Sequence, residues 1–197
     1  ALSVPAQVFS LTFADRTTLD AGAMRMVAPP RSEPLAGDAA APRRAARAGG
    51  RQVTVTLRDA DGRLEATWRA VLRDGSRYIR QVVTLRALGP DVPLRAVTLL
   101  ACDAAAAMVP GTGRGTPVVI GNAYVALEHP LADNAVYDGH VRCRMTRTLP
   151  LRAGTTLELS SVIGVVHPGQ MRRDFLEYVE RERAHPYRTF LHYNSWY

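Results

Sequence analysis

The chain has 197 residues, of which 47% are hydrophobic and 22% are charged, and this composition is typical of a globular domain with a sizeable core. No run approaches the roughly 18 to 20 apolar residues that a membrane helix needs, so the sequence excludes a membrane-spanning helix. All Lys and Arg positions of the chain are Arg. The net charge of +7 is concentrated in residues 25–58, which contain seven Arg and two acidic residues.

Residues 29–50 have no helical or strand periodicity, contain four prolines and end in Gly-Gly. This composition predicts a long, mobile surface loop. Its side chains Arg43, Arg44 and Arg47 would suit phosphate binding, because neutralised phosphates release counterions. Basic loops are more often simply solvated, so nucleic acid is an alternative hypothesis and not an expected partner.

Apolar and polar residues alternate with a period of two from residue 52 to about residue 167, as in Val53, Val55 and Leu57. The dipeptides at Asp61 and Asp74 are Asp-Gly pairs, which mark tight hairpin turns. This pattern predicts a mainly β fold, in which two antiparallel sheets bury their inner faces against each other. The predicted strands are 7–14, 52–58, 63–73, 78–88, 94–102, 117–128, 140–149 and 155–166.

The pattern changes near the end of the chain. Met171, Phe175, Tyr178 and Val179 follow the spacing of one helical face and predict a single amphipathic helix within residues 170–184. After Pro186 ends the helix, the aromatic-rich sequence TFLHYNSWY predicts another strand. Aromatic rings and amide groups together are typical of sugar-binding surfaces, and by composition alone the segment fits a core strand with an aromatic tail equally well.

Other chemical signals are weak. Cys102 and Cys143 lie in strand-like runs and are compatible with either a disulfide or two buried thiols. No Cys/His spacing indicates a metal site, and we expect no cofactor. The glycines of residues 111–115 lack the Gly-Lys-Ser/Thr ending of a phosphate loop and predict a plain loop.

The segment Tyr178–Tyr197, YVERERAHPYRTFLHYNSWY, resembles a junction found in bacterial proteins related to the alpha-galactosidase and raffinose-synthase clan of glycoside hydrolases. In that family an N-terminal β-supersandwich is followed by a helix and then by the first strand of a catalytic (β/α)8 barrel. The stretches 121–130 and 149–154 are similar as well, and the likeness covers roughly residues 75–197.

The resemblance implies three regions: a galactose-mutarotase-like, antiparallel two-sheet supersandwich at 1–168, a linker helix at 169–186, and the first strand of a truncated barrel at 187–197. It also implies that Asn194, Trp196 and Tyr197 contact the substrate, since barrel active sites lie at the C-terminal ends of strands. The catalytic carboxylates of the family lie on later strands, so we expect the chain to be inactive alone.

The leading hypothesis is therefore a non-catalytic N-terminal domain of a carbohydrate-active enzyme, which supports the barrel and helps to shape its sugar pocket. Carbohydrate is then a partner through the intact enzyme. The oligomeric state is open, and no membrane partner is expected. A chain that begins at Ala1 is expected to be either a processed protein, with a secreted or periplasmic location favoured, or a shortened piece.

The alternative is a small, self-contained carbohydrate mutarotase or epimerase, an activity that also occurs on supersandwich folds. It would use a glutamate as base, either Glu128 or Glu158. Its acid would be one of His129, His140 and His167. The hypothesis requires a histidine and a glutamate to converge on one sheet face within reach of the same sugar oxygen.

Overall fold

The period-two alternation forms two antiparallel sheets in the computed structural model, which describes residues 8–189, 191 and 193. The strands are β1 (Ser10–Phe13), β2 (Thr18–Asp20), β3 (Arg25–Met26), β4 (Arg31–Leu35), β5 (Gly50–Arg58), β6 (Leu64–Arg73), β7 (Tyr78–Ala87), β8 (Leu94–Asp103), β9 (Ala107–Met108), β10 (Val118–Ile120), β11 (Ala123–Leu127), β12 (Asp133–Tyr137), β13 (His140–Thr146) and β14 (Thr156–Val165). The one α-helix of the described residues, α1, is Met171–Glu182.

The smaller sheet has the strand order β12-β13-β8-β1-β2, and the larger runs β3-β5-β6-β7-β14-β11-β10-β9, with β4 also paired to β5. Their facing sides enclose one apolar core, which includes Leu11 and Val97 from the smaller sheet and Leu64, Ala66 and Val83 from the larger. The predicted fold class, a mainly β, antiparallel two-sheet supersandwich with one C-terminal helix, is confirmed.

Helix α1 lies on the opposite, outer face of the larger sheet. Its apolar stripe of Met171, Phe175 and Val179 packs, together with the buried Tyr178, against a second cluster of buried residues on β7, β11 and β14 that includes Tyr124. The predicted helical face is confirmed. This helix is too short and too polar to cross a membrane, and no other described helix could do so.

Two strand predictions are wrong in detail. Residues 117–128 form two strands, β10 and β11, because the chain turns at Gly121, whose φ of +58° is in the left-handed region. The prediction also missed β12, which pairs with β13 through Asp138 and Gly139. Both turn residues have positive φ, of 47° and 79°, as a type I′ hairpin requires.

The two cysteines are buried, unpaired thiols on the neighbouring strands β8 and β13. Burial raises the pKa of Cys143 to about 12. The thiol of Cys143 therefore stays protonated at neutral pH, which makes it a poor nucleophile.

The prediction that residues 29–50 form an irregular loop is wrong. Arg31–Leu35 is the edge strand β4, and Arg44–Arg47 is a 3₁₀ turn whose Ala45 is buried. The sequence did not predict β4 because Pro34 disfavours a strand. Proline is nevertheless tolerated on an edge strand, since its missing N–H does not interrupt the sheet. We call residues 29–50 the strap, because after β4 the chain passes over the outer face of the larger sheet, where Ala41, Arg43 and Ala45 line a groove.

Replacing Arg73 with Met should loosen the strap. The guanidinium of Arg73 donates to the backbone oxygens of Ala48 at 2.9 Å and Ala36 at 3.3 Å, and these bonds are worth roughly 1 to 2 kcal/mol together. We expect trypsin to cleave within the strap several-fold faster in Arg73→Met. The matched control is Arg63→Met, which removes only an exposed pair with Asp61. Equal cleavage rates in both variants would show that Arg73 does not hold the strap.

Candidate functional site

A buried network of charged groups lies beneath α1 on the outer face of the larger sheet. Arg80 of β7 binds Glu128 in a bidentate pair, with Nε at 2.9 and 3.0 Å from the two carboxylate oxygens and Nη2 at 2.7 Å from Oε2. Its third nitrogen, Nη1, lies 3.3 Å from Oε2 of Glu182, the last residue of α1. The three side chains are only 18%, 13% and 10% exposed. One guanidinium therefore joins the sheet to the end of the helix.

Two tyrosines and a strap residue complete this network. The hydroxyl of Tyr178 on α1 donates to Glu128, and the hydroxyl of Tyr78 on β7 donates to Glu182 at 2.7 Å. Arg43 of the strap also reaches Glu182, at 3.4 Å. The network thus connects three elements that are far apart in sequence, namely the strap, the sheet and α1.

Local sequence patterns place each member. Tyr78 and Arg80 are two residues apart on a strand, so both side chains point to the outer face. Glu128 follows β11 directly and is held there by the bond from its N–H to the oxygen of Ser160. Tyr178 and Glu182 are four residues apart on α1 and share the face that meets the sheet.

The charges and pKa shifts of the network indicate a structural role. Burial raises the pKa of Glu128, but hydrogen bonds and charge from Arg80 outweigh this effect and hold it below its ordinary value. Burial raises the pKa of Tyr178, so its hydroxyl stays protonated and donates to Glu128. A carboxylate that is fixed as an anion and bound on both oxygens is a poor general base. The network is suited to fastening α1 to the sheet.

A groove of about 520 Å³ lies beside the network, between the strap and the sheet. Its exposed end carries Glu158, which accepts from Arg69 at 3.0 Å and from Thr84 at 3.1 Å. Among the described residues that line it, the sole aromatic is Tyr78, which is buried. The groove therefore lacks an accessible ring on which a sugar could stack.

The residues of the mutarotase alternative do not converge in the described part of the chain. His129 accepts a bond from the N–H of Leu131, and His167 pairs with Asp174 at 2.7 Å. His140 pairs with Asp103 at 2.5 Å on the smaller sheet. Among the described residues, none of the three histidines shares a hydrogen bond or an ion pair with Glu128 or Glu158, so the structure does not assemble the acid and base that this hypothesis requires.

The three strap arginines are not arranged as a free phosphate-binding patch. Arg43 pairs with Glu182, and Arg47 donates to the backbone oxygen of Ala41 at 2.8 Å, although Arg47 is exposed, as is Arg44. The glycine-containing stretch 111–115 is a loop that leads into β10, as the sequence predicted.

The predicted substrate contacts Asn194, Trp196 and Tyr197 lie outside the described residues, so their assignment stays a prediction. Local sequence patterns do not identify the network around Arg80. An outward-facing Arg on a strand is normally exposed to solvent. The one sequence feature that indicates a covered Arg80 is the apolar face of α1, which must pack against a surface.

Comparison with known proteins indicates the fold. A doubly substituted variant of the GH36 alpha-galactosidase AgaA from Geobacillus stearothermophilus, solved with raffinose, matches 90% of this chain and 33% of its own, with a TM-score of 0.50 and 12% identity. The alpha-galactosidase from Lactobacillus brevis matches 92% of this chain and 33% of its own, with a TM-score of 0.48 and 9% identity.

No protein-family model and no curated protein sequence matches the chain. The chain spans about a third of the length of the solved structures that it matches. At 12% identity the likeness to AgaA shows the fold alone. The resemblance noted in the sequence is confirmed at this level, because the same sandwich forms about one third of a GH36 chain.

Proposed function

We propose that this chain is a non-catalytic domain of a carbohydrate-active enzyme of the alpha-galactosidase type. Its role is to carry a catalytic barrel that follows α1 and to help shape the sugar pocket of that barrel. The observation that carries this proposal is the match of 90% of the chain to one third of an alpha-galactosidase solved with raffinose. A fold does not fix a function, so the geometry of the chain must also suit the role.

The network around Arg80 suits that role. A linker that only tethers two domains needs no buried ion pairs, whereas α1 is fastened to the sheet by Glu182 at its end and Tyr178 one turn earlier. The chain that follows α1 therefore starts from a fixed position on the sandwich. The proposal keeps the division that the resemblance implies, with the sandwich at 1–168, the linker helix at 169–186 and the first barrel strand at 187–197.

The same proposal assigns Asn194, Trp196 and Tyr197 to the wall of the sugar pocket. An indole ring stacks on the apolar face of a sugar, and the amide and phenol groups bond to its hydroxyls. All three would lie at the C-terminal end of the first barrel strand, where active sites of such barrels are built.

The decisive experiment compares the 197-residue chain with the protein extended through its continuing reading frame. We expect the chain alone to hydrolyse no aryl alpha-galactoside and the extended protein to hydrolyse it. In the extended protein, Trp196→Ala should raise KM about tenfold or more, while Tyr137→Ala, an exposed aromatic on the smaller sheet, should leave KM unchanged. Hydrolysis or sugar mutarotation by the chain alone would contradict the proposal, as would a reading frame without a barrel.

A further inference from the structure

The core-facing side of the larger sheet extends beyond the smaller sheet at one end. Leu72, Ile79, Ile163 and Val165 lie there and are 46%, 45%, 38% and 55% exposed. Further along the same strands, residues of the same face are buried in the core. The four side chains, which we call the end patch, thus continue the core pattern without a covering layer in the described chain.

The end patch is contiguous. Ile79 and Ile163 are direct partners across β7 and β14, and Val165 follows two residues later on the same face of β14. Val71 pairs with Arg80, which places Leu72 beside Ile79 on the neighbouring strand. Four large apolar residues that are neighbours on one face of a sheet are typical of an interaction site, whereas single exposed ones are ordinary.

The chain leaves α1 at this same end of the sandwich. Arg181, in the last turn of the helix, donates to the backbone oxygens of Asp74 at 3.0 Å and Gly75 at 3.4 Å. These two residues form the turn between β6 and β7, which follows Leu72 and precedes Ile79. The last turn of α1 therefore lies at the same end of the larger sheet as the end patch, on the opposite face and next to the turn that joins two of the strands that carry the patch.

We propose that the end patch is the docking surface for the domain that follows α1, which covers it with an apolar surface of its own. This inference rests on the proposed function. Two observations select this occupant: α1 ends at the same end of the sheet as the patch, and two thirds of the matched alpha-galactosidase chain have no counterpart here. A tethered domain also docks at a high effective concentration, so a patch of modest size suffices.

Cysteine labelling tests this inference. Ile79→Cys and, as a second site, Val165→Cys would each be treated with a maleimide in the 197-residue chain and in the extended protein. We expect labelling to be at least tenfold slower in the extended protein at both positions. Leu131→Cys is the control, because Leu131 is equally exposed but lies in the turn after β11, so its labelling should not change. The native thiols of Cys102 and Cys143 are buried.

Equal labelling of Ile79→Cys and Val165→Cys in both proteins would overturn the inference. The inference would also be overturned if labelling of the 197-residue chain slowed as the protein concentration rose, because a second copy of the chain would then cover the patch. Activity is scored separately on the extended protein. An active extended protein with an unprotected patch would refute docking alone, while protection in an inactive protein without a barrel would refute the proposed function alone.

Discussion

Replacing Arg80 with Met is expected to lower the free energy of unfolding by about 3 to 5 kcal/mol at neutral pH, because it leaves buried carboxylates without their cation. Glu128 would keep the hydroxyl of Tyr178 but no cation, and Glu182 would keep the hydroxyl of Tyr78 and the more distant Arg43. The free energy of unfolding is measured by urea denaturation. A loss below about 1 kcal/mol would show that Glu128 and Glu182 find enough solvent without Arg80.

The effect of Arg80→Met should depend on pH. In the natural chain the pKa of Glu128 is below its ordinary value, so its stabilising contribution is present at neutral pH and is lost as the pH falls through that lowered pKa. In Arg80→Met, burial without a cation raises the pKa of Glu128, so this variant gains stability as the pH falls through the raised pKa. The difference in unfolding free energy between the two proteins should therefore shrink from pH 7 toward pH 4.

Two further variants define the origin of the loss. Arg63→Met removes an exposed pair with Asp61 and should change stability by less than about 0.5 kcal/mol. Combining Arg80→Met with Glu128→Met should cost less than the sum of the single changes, since an apolar replacement of both partners removes the unpaired charge. Additive losses would contradict a coupled ion pair.

Gly164→Ala is expected to destabilise the protein by about 1 to 3 kcal/mol through overpacking. Gly164 on β14 is the direct partner of Tyr124 on β11, and a Cβ at this position would overlap the Tyr124 ring. The ring is held between sheet and helix by edge contacts, with its centroid 5.1 Å from that of Phe175. It cannot move away without displacing α1, so near-ultraviolet circular dichroism should change together with the melting temperature.

Gly22→Ala is the matched control, because a Cβ there has no atom within 4 Å and should alter stability by less than about 0.5 kcal/mol. Tyr124→Ala provides the rescue test. Once the ring is gone, adding Gly164→Ala should cost little more than Tyr124→Ala alone. If Gly164→Ala is as harmful without the ring as with it, the close approach of Tyr124 is not the reason for the glycine.

The candidate site was only partly predictable. The stripe of Met171, Phe175 and Tyr178 identified the face of α1 that packs, because helical periodicity is a local property of the sequence. It did not identify the partners of Tyr178 and Glu182, since Arg80 and Glu128 show the same outward pattern as solvated residues. Asn194, Trp196 and Tyr197 remain predictions from resemblance.

The sequence by itself determined the long strands, the two-sheet fold class and the helix, because each depends on a spacing of two or about four residues and on turn dipeptides such as Asp61-Gly62. Only the tertiary structure decided the strand order, the path of the strap, the network around Arg80 and the exposed end of the larger sheet. Those features depend on which distant strands become neighbours and how far one sheet overlaps the other. Strand pairing and sheet overlap do not change the spacing of apolar residues along the chain. An outward-facing Arg or an inward-facing Ile has the same sequence pattern whether it is covered or exposed.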